Sequence, residues 1–95
     1  MKLWVDDIRE APEGWECARC AKLALHLLKK HNVVEVSLDH DLGEYSLTGY
    51  DIAKQMVELS LWPKDIYCHS MNPVGREQIL STLKRYAPEG VTVHS

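Results

Sequence analysis

Hydrophobic and polar positions along this chain follow two periods in turn, a short β-type run and then a longer helical stretch. The β-type runs are KLWV, VVEVSL, DIYC and VTVH. Between them, apolar residues recur at steps of three and four, which predicts helices over about 14–30, 49–61 and 76–86. Strands separated by helices are typical of βαβ crossovers. We therefore expect an α/β fold with a mostly parallel four-stranded sheet and about three helices.

Length and composition indicate one small globular domain that spans residues 1–95. The chain has 95 residues, of which 45% are hydrophobic and 26% charged, so it can bury a single modest core. Its formal charge is −3, and no run of Lys and Arg exceeds a pair. Binding to duplex nucleic acid is not expected, because the phosphate backbone requires a basic face. A small phosphorylated ligand stays compatible with this charge.

The chain carries no signal of export or membrane insertion. An apolar n-terminal h-region is missing, and no stretch approaches the roughly 18 apolar residues of a membrane span. Three cysteines do not make a paired disulfide framework. We expect a cytoplasmic protein that does not contact membranes.

Polar residues follow three of the predicted strands at the point where each strand ends. These residues are Asp6, Asp7, Asp39, His40, Asp41, His69 and Ser70. The carboxyl ends of parallel strands share one edge of the sheet, where α/β folds bind their ligands. We expect these groups to form one site. Because successive strand residues point to opposite faces, Asp39, His40 and Asp41 cannot all point into the site. Of Asp39 and Asp41, we expect one to lie in the site and the other to orient a histidine.

Four converging carboxylates need compensation. Two carboxylates about 4 Å apart repel by roughly 4 kcal/mol at an effective dielectric near 20. A divalent cation, an imidazolium, or Arg9 and Arg76 could each supply the positive charge. Oxygen ligands favour Mg²⁺ or Mn²⁺, and added histidines favour Mn²⁺. Without a metal, the carboxylates should raise the pKa of a neighbouring histidine, so that one imidazole serves as acid and another as base.

The segment HSMNPVGRE adds groups that suit an anion. Ser70 and Asn72 offer short polar side chains, and Arg76 is expected at the start of a helix. A helix N-terminus with an arginine in its first turn favours bound phosphate. Carboxylates on one side and this segment on the other would hold a phosphate between them.

The motifs LWVDDIREAPEGW, VSLDHDLG, TGYDIA and CHSMNPVGRE, in this order and spacing, resemble the cyclic-phosphate-processing receiver-like domains. These are small bacterial and phage proteins related to response-regulator receivers. The resemblance covers nearly the whole chain and implies a three-layer, flavodoxin-like domain. It also implies that Asp6 and Asp7 match the acidic pair that holds Mg²⁺. Asp39 lies near the phosphoacceptor position, and Ser70 matches the switch Ser/Thr.

The chain departs from a true receiver in ways that argue against a phosphorelay. It has one βα unit fewer, no lysine ends its last strand, and His40 and His69 are additions. The resemblance therefore implies a phosphoesterase that hydrolyses or processes a cyclic phosphate, in particular that of a nucleotide. The alternative is a non-catalytic module that binds or sequesters a nucleotide or docks a protein partner.

The enzyme hypothesis gives each polar residue a role. The catalytic residues would be His40, His69 and Asp39. The substrate-binding residues would be Arg9, Ser70, Asn72 and Arg76. The metal ligands would be Asp6, Asp7 and Asp41. An exposed edge at the last strand would also permit a homodimer, although no residue pattern requires one.

Two further features favour structural over functional interpretations. Cys17 and Cys20 have the spacing of a zinc or redox motif, but both fall on the apolar stripe of the first predicted helix, so core packing is expected. The tryptophans are expected mainly in the core. As an alternative, Trp15 or Tyr45 could stack on a base at the rim of the site.

Overall fold

Alternating strands and amphipathic helices build the domain in a computed structural model that describes residues 1–43 and 47–95. The strands are β1 (Lys2–Val5), β2 (Glu16–Ala18), β3 (Glu35–Leu38), β4 (Asp65–Cys68) and β5 (Thr92–Val93). The helices are α1 (Ala21–Lys30), α2 (Gly49–Leu59) and α3 (Pro73–Tyr86). The sheet order is β2-β1-β3-β4-β5, and all neighbouring strands are parallel. The α/β class with a parallel sheet is confirmed, with five strands rather than four.

Strand β2 is the element that the periodicity concealed. It lies inside the stretch predicted as the first helix, and Cys17 pairs with Trp4 of β1. Helix α1 begins only after Cys20, whose backbone is extended. The prediction of a helix from residue 14, with both cysteines on its stripe, is therefore wrong. Pairing with β1 outweighed a three- and four-residue spacing that a short strand can show by chance. The chain was expected to have one βα unit fewer than a receiver. The strand of that unit is present as β2, and residues 6–15 connect it to β1 without a helix.

Local side-chain chemistry determines where α2 and α3 begin. Thr48 and Asp51 form a capping box at the start of α2. Asn72 caps α3 by accepting a hydrogen bond from the amide of Gly75, and Pro73 occupies the first turn. Helix α3 therefore begins three residues earlier than predicted, and Arg76 lies just inside the helix. Helix α2 ends two residues earlier, where Ser60 adopts a left-handed backbone with φ of 55°.

The three helices cover one face of the sheet. Helix α1 contacts α2, and α2 contacts α3, which helices on opposite faces of a sheet cannot do. This agrees with right-handed crossovers that all advance in one direction, from β2 through β3 and β4 to β5. The three-layer arrangement is therefore reduced to two layers in the described part of the chain. The core lies between these layers and includes Leu3, Val5, Val36, Leu38, Ile66, Ala24, Ile52, Met56, Ile79 and Leu83.

The other face of the sheet, here called the open face, carries Trp4, Ser37 and Tyr67 side by side on β1, β3 and β4. The connection from β1 to β2 brings Trp15 over it, with ring centroids 6.2 Å from Trp4 and 6.4 Å from Tyr67. Trp4 and Trp15 are half-buried here rather than part of the core. Parallel sheets are usually covered on both faces, so an open aromatic face is unusual.

No helix within the described residues is long and apolar enough to cross a membrane.

Candidate active site

Asp6, Asp39 and His69 form a row across the carboxyl end of the sheet. Val5, Leu38 and Cys68 are register partners on β1, β3 and β4, and the three polar residues follow them directly. Each lies two residues after a member of the open face, so the pleat directs all three side chains toward that face. Their ligand atoms lie within 4.8 Å of one another. Three segments distant in sequence thus meet at one edge.

Asp6 is a buried carboxylate with both oxygens engaged. Only 1% of the residue is exposed. Its Oδ1 accepts hydrogen bonds from the amides of Ile8 and Arg9, at 2.9 and 2.8 Å. Burial raises the pKa of Asp6, but these amides and His69 outweigh it, so the pKa lies below its ordinary value. Asp6 is therefore ionised at neutral pH.

His69 is held through both ring nitrogens. Its Nε2 lies 3.0 Å from Asp6 Oδ2, and its Nδ1 lies 2.7 Å from Ser37 Oγ. Burial lowers the pKa of His69 and outweighs the opposing effect of Asp6, contrary to the rise expected from neighbouring carboxylates. A carboxylate only accepts, so neutral His69 donates its Nε2 proton to Asp6 and accepts the Ser37 hydroxyl proton at Nδ1. The ring also stacks on Trp4, with centroids 3.7 Å apart.

Asp39 is nearly buried, with 9% of the residue exposed, and its backbone is locked by α2. Its Oδ1 accepts a hydrogen bond from the amide of His40 at 2.8 Å. A Cβ at Gly49, the first residue of α2, would lie 1.9 Å from the Asp39 carbonyl oxygen. Only glycine permits this approach. The first turn of α2 thereby fixes the position of the Asp39 backbone at the edge of the sheet.

His40 lies in a second group, against the first turn of α3. Its Nδ1 lies 3.0 Å from Asp41 Oδ1, and the side-chain Nδ2 of Asn72 donates to Asp41 Oδ2 at 3.4 Å. A Cβ at Gly75 would lie 2.2 Å from the His40 ring, so this glycine makes room for it. Asp39 therefore groups with Asp6 and His69, whereas Asp41 pairs with His40. The two histidines have separate surroundings.

The other expected substrate-binding residues surround these groups. Arg9 Nη1 donates to the His69 carbonyl at 3.3 Å, and Arg9 Nε lies 3.8 Å from Asp6 Oδ2. Arg76 Nη1 donates to the Cys68 carbonyl. Ser70 Oγ accepts from the amide of Asn72 at 3.1 Å, which leaves the Ser70 hydroxyl proton to donate. Both arginines and Ser70 are thus held at the same edge.

The sequence interpretation missed three residues of this site: Ser37, Trp4 and Arg19. Ser37 and Trp4 were detectable, because each lies two residues before an acidic residue and must share its face. Arg19 donates from Nη1 to the carbonyls of Asp6 and Arg9, at 3.3 and 2.8 Å. It gave no signal, because it follows a strand that was taken for a helix.

The row offers a donor set that fits a divalent cation. Asp6 and Asp39 supply carboxylate oxygens, and His69 supplies a nitrogen. To ligate through Nε2, His69 would carry its proton on Nδ1, and the Ser37 hydroxyl can accept that proton. Among the described residues this group includes neither Asp7 nor Asp41, and 67% of the Asp41 side chain is exposed.

Comparison with known proteins gives one match. A family model described as the cyclic-phosphate processing receiver domain matches residues 1–85. No curated protein and no solved structure gives a significant match to the chain.

Proposed function

Because the chain belongs to the family of cyclic-phosphate processing receiver domains, we propose that it hydrolyses a nucleotide cyclic phosphate to a phosphomonoester. The observation that supports this most directly is the His69 imidazole, held between Asp6 and Ser37 beside Asp39. A buried, neutral and oriented imidazole next to a carboxylate is what proton transfer at neutral pH requires.

The phosphate would bind above the strand ends, among groups that carry positive charge or protons. Arg9 is 46% exposed at its side chain and can reach outward while its backbone stays fixed. The Ser70 hydroxyl, Arg76 and the capped N-terminus of α3 lie on the adjoining side, where helix amides favour anions. Asn72 is committed to the cap and to Asp41, so it shapes this side rather than binding alone.

Hydrolysis needs one proton removed from water and one delivered to the leaving oxygen. For this step the His69 proton would first move from Nε2 to Nδ1, where the Ser37 hydroxyl can accept it as a hydrogen bond. The freed Nε2 would then accept the water proton. Asp6 would then stabilise the imidazolium. The new P–O bond forms as the ring P–O bond breaks, and His40 would protonate the departing alkoxide. Asp41 orients His40 for this step. His40 follows Asp39 and therefore points to the opposite side of the edge from His69, which suits in-line displacement.

A divalent cation is the alternative to His69 as the group that activates water, because a cation bound to Nε2 leaves that nitrogen no lone pair for a proton. Held by Asp6, Asp39 and His69, it would act as a Lewis acid toward the phosphate and lower the pKa of a bound water. His40 would keep its role as proton donor.

The proposal is tested by incubating the pure protein with cyclic mono- and dinucleotides, with Mn²⁺ or with EDTA. We expect one of them to be converted to a linear phosphomonoester, and the His69→Ala variant to lose at least about a hundredfold in turnover. His26→Ala, at an exposed position of α1, is the matched control and should keep full activity. Full activity of His69→Ala would contradict the acid–base role.

A second candidate function has its own support. Without any ligand, both carboxylate oxygens of Asp6 and both ring nitrogens of His69 already have hydrogen-bond partners. Such a preformed arrangement is typical of a rigid binding site. In that case the domain holds a nucleotide without turnover. A rise in melting temperature with a cyclic nucleotide, and no product after prolonged incubation, would favour this binding module over the enzyme.

A further inference from the structure

The open face contains a cleft in which only Ser37 and His69 take part in the proposed chemistry. It has a volume of about 300 Å³ and is lined by Trp4, Trp15, Ser37, Tyr67, Cys68 and His69. We call this the aromatic cleft. Its lining is mainly aromatic, although the surrounding strands carry charged residues such as Lys2 and Glu35, which pair with each other. A lining of this kind suits a flat, uncharged ring system.

The rings of the aromatic cleft are arranged as a floor and a wall. The Trp4 ring lies parallel to His69 with an interplanar angle of 5°, and the Tyr67 ring lies parallel to His94 with 7°. Trp15 stands at 80° to Trp4 and 71° to Tyr67. A planar group entering beside Trp15 would therefore contact one aromatic face and the edges of others.

The aromatic cleft is continuous with the catalytic row through His69. The same imidazole that contacts Asp6 also lines the cleft and stacks on Trp4. Arg9, which donates to the His69 carbonyl, lies beyond it at the strand ends. A ligand with a ring at one end and a phosphate at the other would thus span from Trp15, over His69, to Arg9. Nucleotides have this form.

We infer that the aromatic cleft binds the base of the nucleotide whose phosphate is processed at Asp6, Asp39 and His69. This inference rests on the proposed function and adds to it the place where the base of the substrate binds. A volume of about 300 Å³ lies at the small end of ligand pockets and accommodates one base rather than two. Stacking on aromatic rings tolerates any base, because every base has a π-face.

Trp4 also carries a polar group without a partner. Its indole Nε1 is buried and has no hydrogen-bond partner among the described residues. Buried donors without acceptors are rare in folded proteins. This nitrogen has almost no accessible surface, so the assignment of the cleft depends on its rings and not on this donor. Tyr45, the other aromatic residue considered for stacking, lies outside the described residues.

Nuclear magnetic resonance of the intact wild-type chain tests this directly. The chain has three tryptophans, so its indole N–H groups give three resonances. On titration with adenosine, which has no phosphate, we expect the Trp4 and Trp15 signals to shift and the Trp62 signal to stay. Trp62 lines a different cavity with Leu61 and Pro63. Inorganic phosphate should not move the Trp15 signal. Unmoved Trp4 and Trp15 signals would overturn the inference, as would shifts that follow protein concentration instead of adenosine, which indicate self-association.

A matched pair of variants tests the energetic contribution. Trp15→Ala should weaken adenosine binding by about tenfold or more, since stacking on one ring contributes on that scale. Trp15→Phe, which keeps an aromatic ring, should restore most of the affinity. Trp62→Ala removes another half-buried tryptophan and should leave binding unchanged. Equal losses in Trp15→Ala and Trp62→Ala would contradict a specific role for the cleft.

The failure of this inference differs from the failure of the proposed function. If the wild type hydrolyses a cyclic nucleotide and Trp15→Ala does so with unchanged KM, the cleft does not bind the base, and the hydrolase stands. If adenosine binds in a Trp15-dependent manner but no cyclic nucleotide is hydrolysed, the base site stands and the hydrolase proposal is wrong.

Discussion

Ser37 Oγ lies 2.7 Å from His69 Nδ1, across neighbouring strands β3 and β4. Ser37 is a register partner of Tyr67, and His69 lies two residues after Tyr67, just past the end of β4, on the same face. Since a hydroxyl can donate or accept, Ser37 supports His69 with its proton on either nitrogen. Ser37, only 3% exposed, is therefore a positioning residue for the imidazole.

Replacing Ser37 with alanine should cost both stability and activity. Neutral His69 would lose its partner at Nδ1, and leaving a buried acceptor unsatisfied costs about 1–3 kcal/mol of unfolding free energy. We expect kcat to fall while KM changes little. Imidazole ¹⁵N shifts should report the Nε2-protonated form in the wild type and in Ser37→Ala, because Asp6 still accepts that proton. Urea unfolding measures the stability, with Ser81→Ala at an exposed position of α3 as the control. A Ser37→Ala variant with the stability and the kcat of the wild type would contradict this role.

The two helix-start glycines should respond differently to alanine. At Gly49 the added Cβ would meet the Asp39 carbonyl, a backbone atom that cannot rotate away. Gly49→Ala should therefore lower the unfolding free energy by about 1–3 kcal/mol or more. At Gly75 the added Cβ would meet the His40 ring, a side chain that can turn aside. Gly75→Ala should cost less stability but displace His40 and reduce turnover.

Thermal and urea unfolding of both glycine variants measure these effects. Gln55→Ala, at an exposed site in α2, is the control and should leave stability nearly unchanged. A Gly49→Ala variant as stable as the wild type would show that α2 does not approach Asp39 this closely.

Removing Asp51 should have an effect on stability that depends on pH. The amide of Thr48 donates to Asp51, and this bond, with the Thr48 hydroxyl and Lys54, lowers the pKa of Asp51 despite burial. A lowered pKa stabilises the folded state above the ordinary value of 3.8, and the contribution is lost as pH falls through the folded value. Asp51→Ala should thus cost about 1 kcal/mol at pH 7 and less at acidic pH.

Unfolding curves of wild type and Asp51→Ala between neutral and acidic pH provide this measurement. For Glu58→Ala, at an exposed position in the same helix, the difference in unfolding free energy from the wild type should not become smaller toward acidic pH. A gap between wild type and Asp51→Ala that widens toward acidic pH would have the wrong sign for a capping carboxylate.

Metal binding should depend on the row and not on its sequence neighbours. Mn²⁺ should broaden the resonances of residues around Asp6, Asp39 and His69, and EDTA should reverse this. Asp39→Asn should weaken Mn²⁺ binding by at least about tenfold, because a charged ligand is lost. Asp7→Asn should change it little, since Asp7 is not in the group within 4.8 Å. Equal loss of binding in both variants would assign the metal to a different set of carboxylates.

Much of the site was predictable because its positions follow from local rules. Apolar runs identified four of the five strands. The polar residues directly after three of these runs are Asp6, Asp39 and His69. Strand alternation alone would also have placed Ser37 with Asp39. The signal for β2 was too short, because three residues have no period that separates them from a helix.

The sequence by itself determined the α/β class, the parallel sheet and the edge where Asp6, Asp39 and His69 meet, since these depend on period and connection. Only the tertiary structure decided that all helices lie on one face, that Trp4 and Trp15 line the open one, and that His40 packs on Gly75 apart from His69. The direction of the pKa shift of His69 was also decided by the tertiary structure. This direction depends on how far burial outweighs the Asp6 charge, and burial is a property of packing that residue order does not contain.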